Sequence, residues 1–177
     1  PIEDILELAE NTGSILVVDE SHSLGTHGPK GAGLVAELGL NERVHFRTAS
    51  LAKCFAGRAG LITCPNRFKE YFMMESRQAV FSSCLLQHEL AWFDAAIDFV
   101  QQIDQRRTRL KEISRVIRSN LLNLGYNVTD GSEQIIALEA GSEQQTMILR
   151  DALEENGIFG SPFCAPAALN DPLTGAC

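Results

Sequence analysis

Apolar side chains recur at helical spacing over residues 2–9, and the pattern stops at Asn11, Thr12 and Gly13, a combination that ends helices. Four consecutive apolar residues follow, Ile15, Leu16, Val17 and Val18, set between Ser14 and Asp19. Their β-branched content and lack of alternation predict a strand buried on both faces, as in a parallel sheet. Residues 44–48 and 59–64 give two further strand predictions. Helical periodicity then runs over about 67–78 and 85–101.

Beyond that point the texture changes. Leu110, Ile113, Ile117, Leu121 and Leu124 fall on one face of a long amphipathic helix. Residues 134–138 read as a strand, and 147–156 as a helix with Gly157 placed to close it. A boundary near residue 102 therefore divides an α/β sheet region, 1–101, from a smaller α+β region, 102–177. The first region supplies about three strands, below the usual five or six. The chain opens on a helix without an initiating Met, and residues 169–177 carry neither period. A truncated chain is the expectation.

Composition narrows the function classes. Of 177 residues, 45% are hydrophobic and 21% charged, a soluble globular balance rather than a disordered one. The formal net charge of −8 argues against a nucleic-acid face. Arg106, Arg107, Arg109, Lys111, Arg115 and Arg118 cluster, but at helical spacing among apolar residues, which predicts a solvated helix face. No apolar run reaches the roughly 18 residues of a membrane span, and no leader pattern is visible. Five cysteines, odd in number and without a CxxC pair, suggest free thiols in a reducing cytosol.

Chemistry in open α/β sheets gathers at the carboxyl ends of strands. Asp19 stands there, with His22 three residues on, so that both can point into one pocket. Asp19 capping a turn beside an exposed His22 is the plainer alternative. A metal held by Asp19, His22 and His27 lacks a further strong ligand pattern. The second feature is Lys53, one of four lysines, set among small and apolar neighbours after the 44–48 strand. Desolvation disfavours an ammonium group, which suits an amine that forms a Schiff base with an aldehyde. Ser50 lies where it can bind a phosphate oxygen, and Gly57 and Gly60 let the backbone turn tightly. Taken alone, Lys53 reads as a surface lysine. Taken together, a carboxylate and a lysine, each just after a strand and 34 residues apart, are what PLP enzymes of the aspartate-aminotransferase fold require.

The block Asp19, Glu20, Ser21, His22, Ser23, Leu24 and Gly25 resembles the Asp-Glu-x-His block of α-oxoamine synthases. Ser50, Leu51, Ala52 and Lys53 resemble their phosphate-and-Schiff-base block. Over residues 15–165 the chain is most similar to the autoinducer-forming branch of that family. The resemblance implies the fold type I, aspartate-aminotransferase α/β architecture: a large-domain fragment followed by part of an α+β small domain. It implies pyridoxal 5′-phosphate, with Asp19 at the pyridinium nitrogen, His22 at the phenolic oxygen, Ser50 at the phosphate and Lys53 on the aldehyde carbon. Phe81, Ser82 and Ser83 resemble the segment that reaches the neighbouring subunit's phosphate, although Leu85 and Leu86 stand where prolines usually follow.

The implied reaction condenses an amino acid, or S-adenosylmethionine, with an acyl-CoA to give an α-aminoketone in a cytoplasmic homodimer. A residue to stack on the ring would precede Pro1. The carboxylate-binding Arg would follow Pro162, Phe163, Cys164, Ala165 and Pro166, yet no Arg occurs after Arg150 and the pattern departs from about Ala167. This chain alone is therefore not expected to catalyse acyl transfer. An aminotransferase or β/γ-lyase, or a non-catalytic remnant, are the other readings.

Overall fold

A computed structural model describes residues 1–128 and 134–164. Helix α1, Ile2–Thr12, ends where Gly13 takes φ 67°, a conformation that glycine adopts without a Cβ penalty. Leu6 on its inner face packs with Val35, Leu40 and Val44, and Ile2, Leu16 and Val18 cover that cluster. Strand β1, Val17–Asp19, follows, then a 3-10 turn at Pro29–Gly31 and the short α2, Leu34–Glu37. Strands β2, Phe46–Ser50, and β3, Gly60–Thr63, complete a sheet of order β1-β2-β3. β1 and β2 are parallel with Asp19 opposite Thr48, whereas β2 and β3 are antiparallel with Ser50 opposite Gly60.

The expected burial of residues 15–18 on both faces is not what the chain forms. Leu16 and Val18 enter the α1 cluster, while Ile15 and Val17 are 68% and 54% exposed. Successive strand residues point to opposite faces, and among the described residues only the α1 side is covered. β2 starts two residues later than expected. Val44 donates its amide to the Leu40 carbonyl at 3.2 Å and packs into the α1 cluster instead of joining the ladder.

Helices α3, Asn66–Glu75, and α4, Arg77–Val80, replace the single helix expected over 67–78. Ser76 leaves the helical region with ψ 109°, and its hydroxyl accepts the Ala79 amide, ending one helix and starting the next. α5, Gln87–Gln102, buries Phe93 and Val100 against Phe55, with Leu24, Leu51, Ala59 and Ala96 around them. A Cβ at Gly57 would run into the Phe93 ring, so glycine permits this approach. Trp92 Nε1 donates to the Phe55 carbonyl at 2.9 Å.

The chain forms two compact units, Pro1–Arg109 and Leu110–Cys177. The break in pattern near residue 102 coincides with the junction of α5 and α6, Asp104–Asn123. The first unit runs on to Arg109 because Arg107 is tied back into it. Its guanidinium donates to the Val100 carbonyl at 2.6 Å and the Gly25 carbonyl at 3.4 Å, and pairs with Asp104 at 2.5 Å. Arg107 is only 7% exposed. The expectation of a wholly solvated basic face is thus corrected at this residue.

In the second unit, a single antiparallel bridge between Val128 and Leu138 stands in place of the strand expected over 134–138. Arg118 donates to the Ile135 carbonyl at 2.6 Å. Helix α7, Glu143–Glu155, begins four residues before the expected 147. Ser142 and Gln145 form a capping box there, with the Ser142 amide donating to Gln145 Oε1 at 2.9 Å. Residues 167–177, including Cys177 and the departure from the family pattern, lie outside the described residues. Among the described residues, Cys54, Cys64 and Cys84 are free thiols, and no helix is long and apolar enough to cross a membrane.

Candidate functional site

Parallel pairing of β1 with β2 brings two strand ends side by side, and the site is built on them. Asp19 is the last residue of β1. Its Oδ1 accepts the Ser21 amide at 3.0 Å, and its Oδ2 accepts the Thr48 hydroxyl at 2.9 Å from the register position opposite. The Ser21 amide, followed by the Ser21 hydroxyl, holds the Asp19 carboxyl below its ordinary pKa. Partial burial opposes the shift, while the Thr48 hydroxyl and the nearby His22 add to it.

Ser21 also faces β2: its hydroxyl oxygen accepts the Ser50 amide at 2.8 Å. Asp19, Ser21, Thr48 and Ser50 share a cavity of about 660 Å³ with Gly60, Ile62, Cys64, Phe68 and Phe72. Its floor is therefore the sheet and one wall is α3. Thr48 and Ser50 both line it because residues two apart on a strand share a face.

Glu20 points away from this cavity and holds the turn from behind. It is 2% exposed, and its carboxylate accepts the Val35 amide at 2.9 Å, the Ser23 hydroxyl at 3.0 Å and Arg47 Nε at 2.5 Å. Its amide bonds the Thr48 carbonyl at 2.7 Å, and its carbonyl receives the amides of Ser23 and Leu24. Arg47 further donates to Asn41 Oδ1 at 3.0 Å and the Ala32 carbonyl at 2.5 Å. At Gly33, a Cβ would lie 2.5 Å from Glu20 Oε1, so this close approach requires glycine.

Of the residues singled out in the sequence, Asp19 and Ser50 come together in the cavity. His22 is exposed on the turn after β1, near enough to influence the Asp19 charge. Lys53 rides on the turn after β2, closed by Leu51 amide to Ala59 carbonyl at 2.9 Å and Gly57 amide to Leu51 carbonyl at 3.1 Å. It is exposed in this chain, so its small apolar sequence neighbours do not themselves bury the amine. Ser82 and Ser83 are exposed beyond α4, where Ser82 donates to the Gln78 carbonyl, and neither lines the cavity.

Sequence reasoning passed over Ser21, Thr48, Glu20 and Arg47. Pairing Asp19 with Thr48 required the register of two strands, although the alternation of Thr48 with Ser50 was a usable signal. His27 is buried, with Nδ1 3.0 Å from the Thr26 hydroxyl. Among the described residues, no group of three or more His, Cys, Asp or Glu is arranged to hold a metal ion.

Residues 1–172 match the profile of a family described as aminotransferase class I and II. The CAI-1 autoinducer synthase of Vibrio campbellii is 44% identical over 94% of this chain and 42% of its own length. A putative 8-amino-7-oxononanoate synthase of Halalkalibacterium halodurans is 30% identical over 93% of this chain, again covering 42% of its own length. Among solved structures, a serine palmitoyltransferase from S. paucimobilis, with a bound PLP–myriocin aldimine, superposes with a TM-score of 0.87 at 21% identity. That likeness covers 96% of this chain and 43% of the other.

Proposed function

The chain belongs to the aminotransferase class I and II family and has the fold of type I PLP-dependent transferases, and on that premise we propose that it forms the cofactor-binding part of an α-oxoamine synthase. Such an enzyme joins an amino acid, or S-adenosylmethionine, to an acyl-CoA with release of CoA and loss of the amino-acid carboxylate as carbon dioxide, giving an α-aminoketone. The name and 44% identity of the Vibrio campbellii relative favour an autoinducer as the product. The observation that carries the reading is the Asp19 carboxylate, held ionised by Ser21 and Thr48 beside Ser50 at the ends of two parallel strands. The portion up to residue 101 would be part of the large domain and 102–177 part of the small one.

These residues fit pyridoxal 5′-phosphate. An ionised carboxylate suits a pyridinium nitrogen, a hydroxyl on the next strand end suits a phosphate, and a primary amine follows three residues later. When bound, the cofactor supplies a ring that withdraws electrons from the amino-acid Cα. Asp19 would keep the ring nitrogen protonated, and His22 would donate to the phenolic oxygen. Ser50 would hold a phosphate oxygen. Lys53 Nζ would hold the cofactor at its aldehyde carbon and would serve as the base for the amino-acid Cα proton. Ser82 and Ser83 would serve the phosphate of a second subunit in a cytoplasmic homodimer.

A full-length family protein carrying this segment tests the reaction class. Incubated with an acyl-CoA and candidate amino acids or S-adenosylmethionine, it should release CoA thiol in step with aminoketone formation. Conversion of an amino acid to its 2-oxo acid, without thiol release, would instead identify an aminotransferase and overturn the acyl-transfer reading.

A further inference from the structure

We propose that Trp92 is a positioning residue for Lys53, holding from α5 the turn that carries the lysine. The inference rests on the cofactor site assigned above. Lys53 lies midway between Leu51 and Phe55, and both of these belong to the apolar cluster built on Phe93 and Val100 of α5. Trp92 adds a polar tie, its Nε1 donating to the Phe55 carbonyl at 2.9 Å from 37 residues along the chain. Cys54 is held as closely. A Cβ at Gly25 would lie 2.2 Å from its Sγ, so the turn after β1 backs directly on the turn after β2. Lys53 is thus the exposed residue of a turn whose neighbouring side chains are pinned.

The shape of this turn needs outside support. Ala56 has φ 50°, a left-handed conformation that residues with a Cβ rarely adopt. Such a conformation persists where surrounding contacts over-determine it. Those contacts come from α5. The Trp92 bond fixes the carbonyl of the peptide that joins Phe55 to Ala56, and Phe93 lies against Gly57, where a Cβ would come within 2.4 Å of its ring. A lysine whose backbone is set in advance offers its amine to an aldehyde with less loss of conformational freedom. Trp92 does not line the cavity of Asp19 and Ser50, so its effect on a ligand there passes through the turn.

The test compares dissociation constants for two ligands in a full-length family protein carrying this segment. The ligands are pyridoxal 5′-phosphate and 4′-deoxypyridoxine 5′-phosphate, in which a methyl group replaces the aldehyde and forms no bond with an amine. Their ratio reads what the Lys53 amine contributes. Trp92→Phe keeps an aromatic ring but loses the N–H. It should lower the preference for the aldehyde by about fivefold, the effect of one lost hydrogen bond, and leave affinity for the methyl analogue unchanged. Equal weakening of both ligands would mark a merely structural residue and overturn the proposal, as would an unchanged preference. Should Trp92→Phe fail to fold, Gly57→Ala, which pushes the turn off Phe93, reads the same hold of α5 and is judged by the same outcomes. Lys53→Ala separates this from failure of the site itself. A preference for the aldehyde that survives in Lys53→Ala overturns the site and the positioning together. A preference erased there but unchanged in Trp92→Phe overturns the positioning alone.

Discussion

The turn after β1 and the stretch from α3 to residue 86 belong to the same compact unit, yet they are held in opposite ways. In the turn, Glu20, Gly25, His27, Gly31, Gly33 and Val35 are all buried, and the Glu20 carboxylate alone gathers donors from Val35, Ser23 and Arg47. In the other stretch, α3 and α4 bury no residue, and Met74 and Phe81 are 77% and 85% exposed. Hydrogen bonds there are local, such as those of Ser76 to Ala79 and Ser82 to Gln78. The difference separates the candidate site residues as well. Asp19 and Ser50 are set by long-range bonds before any ligand arrives, whereas Ser82 and Ser83 are placed only by their own helix end. Preorganised groups keep more of their interaction energy for the ligand.

The largest expected effect lies at Asp19. In a full-length family protein carrying this segment, Asp19→Asn should retain bound cofactor through Lys53 and Ser50 but lose at least about 100-fold in turnover, because a neutral amide does not stabilise a protonated pyridine. Near-normal turnover would remove Asp19 from the proposed role. Next comes Glu20. Glu20→Ala strands Arg47 and leaves the Val35 amide without its acceptor, and urea unfolding of this chain should show a loss of about 3 kcal/mol. By contrast, Phe81→Ser and Met74→Ser should each change stability by no more than about 0.5 kcal/mol. A Phe81→Ser loss rivalling that of Glu20→Ala would break the comparison.

A smaller effect concerns pH. The Asp19 pKa is lowered in the folded chain by the Ser21 amide first and then the Ser21 and Thr48 hydroxyls. Its contribution to stability is therefore full above the ordinary carboxylate pKa and is lost as pH falls through the lowered folded value. Thr48→Val weakens that lowering, so its stability deficit, followed by urea unfolding from neutral to acid pH, should shrink as the carboxylate protonates. A deficit independent of pH would assign Thr48 a packing role only.

Helix periodicity was legible along most of the chain. α1, α5 and α6 fall close to where their apolar spacing places them, because one-face burial is written into spacing. Strand edges were less so: Val44 has the side chain of a strand residue but serves the α1 core, and β1 buries only alternate residues. The α3–α4 break at Ser76 was missed because a serine inside a helical pattern carries no sign of whether it caps or continues. At the candidate site, the cavity placement of Asp19 and Ser50 at strand ends was legible, while His22 and Lys53, singled out with them, lie exposed on the turns that follow. Ser21, Thr48 and Arg47 were not legible, since their roles follow from which strand lies beside which. Arg107 shows the same limit, with a charge that spacing assigns to solvent and tertiary contact buries against Gly25 and Val100.

Borohydride reduction with pyridoxal 5′-phosphate, followed by peptide mapping of a full-length family protein carrying this segment, tests the cofactor site most directly. The proposed site predicts a stable pyridoxyl label on Lys53, with the label abolished in Lys53→Ala. A label on Lys30, Lys69 or Lys111, persisting in Lys53→Ala, would contradict it.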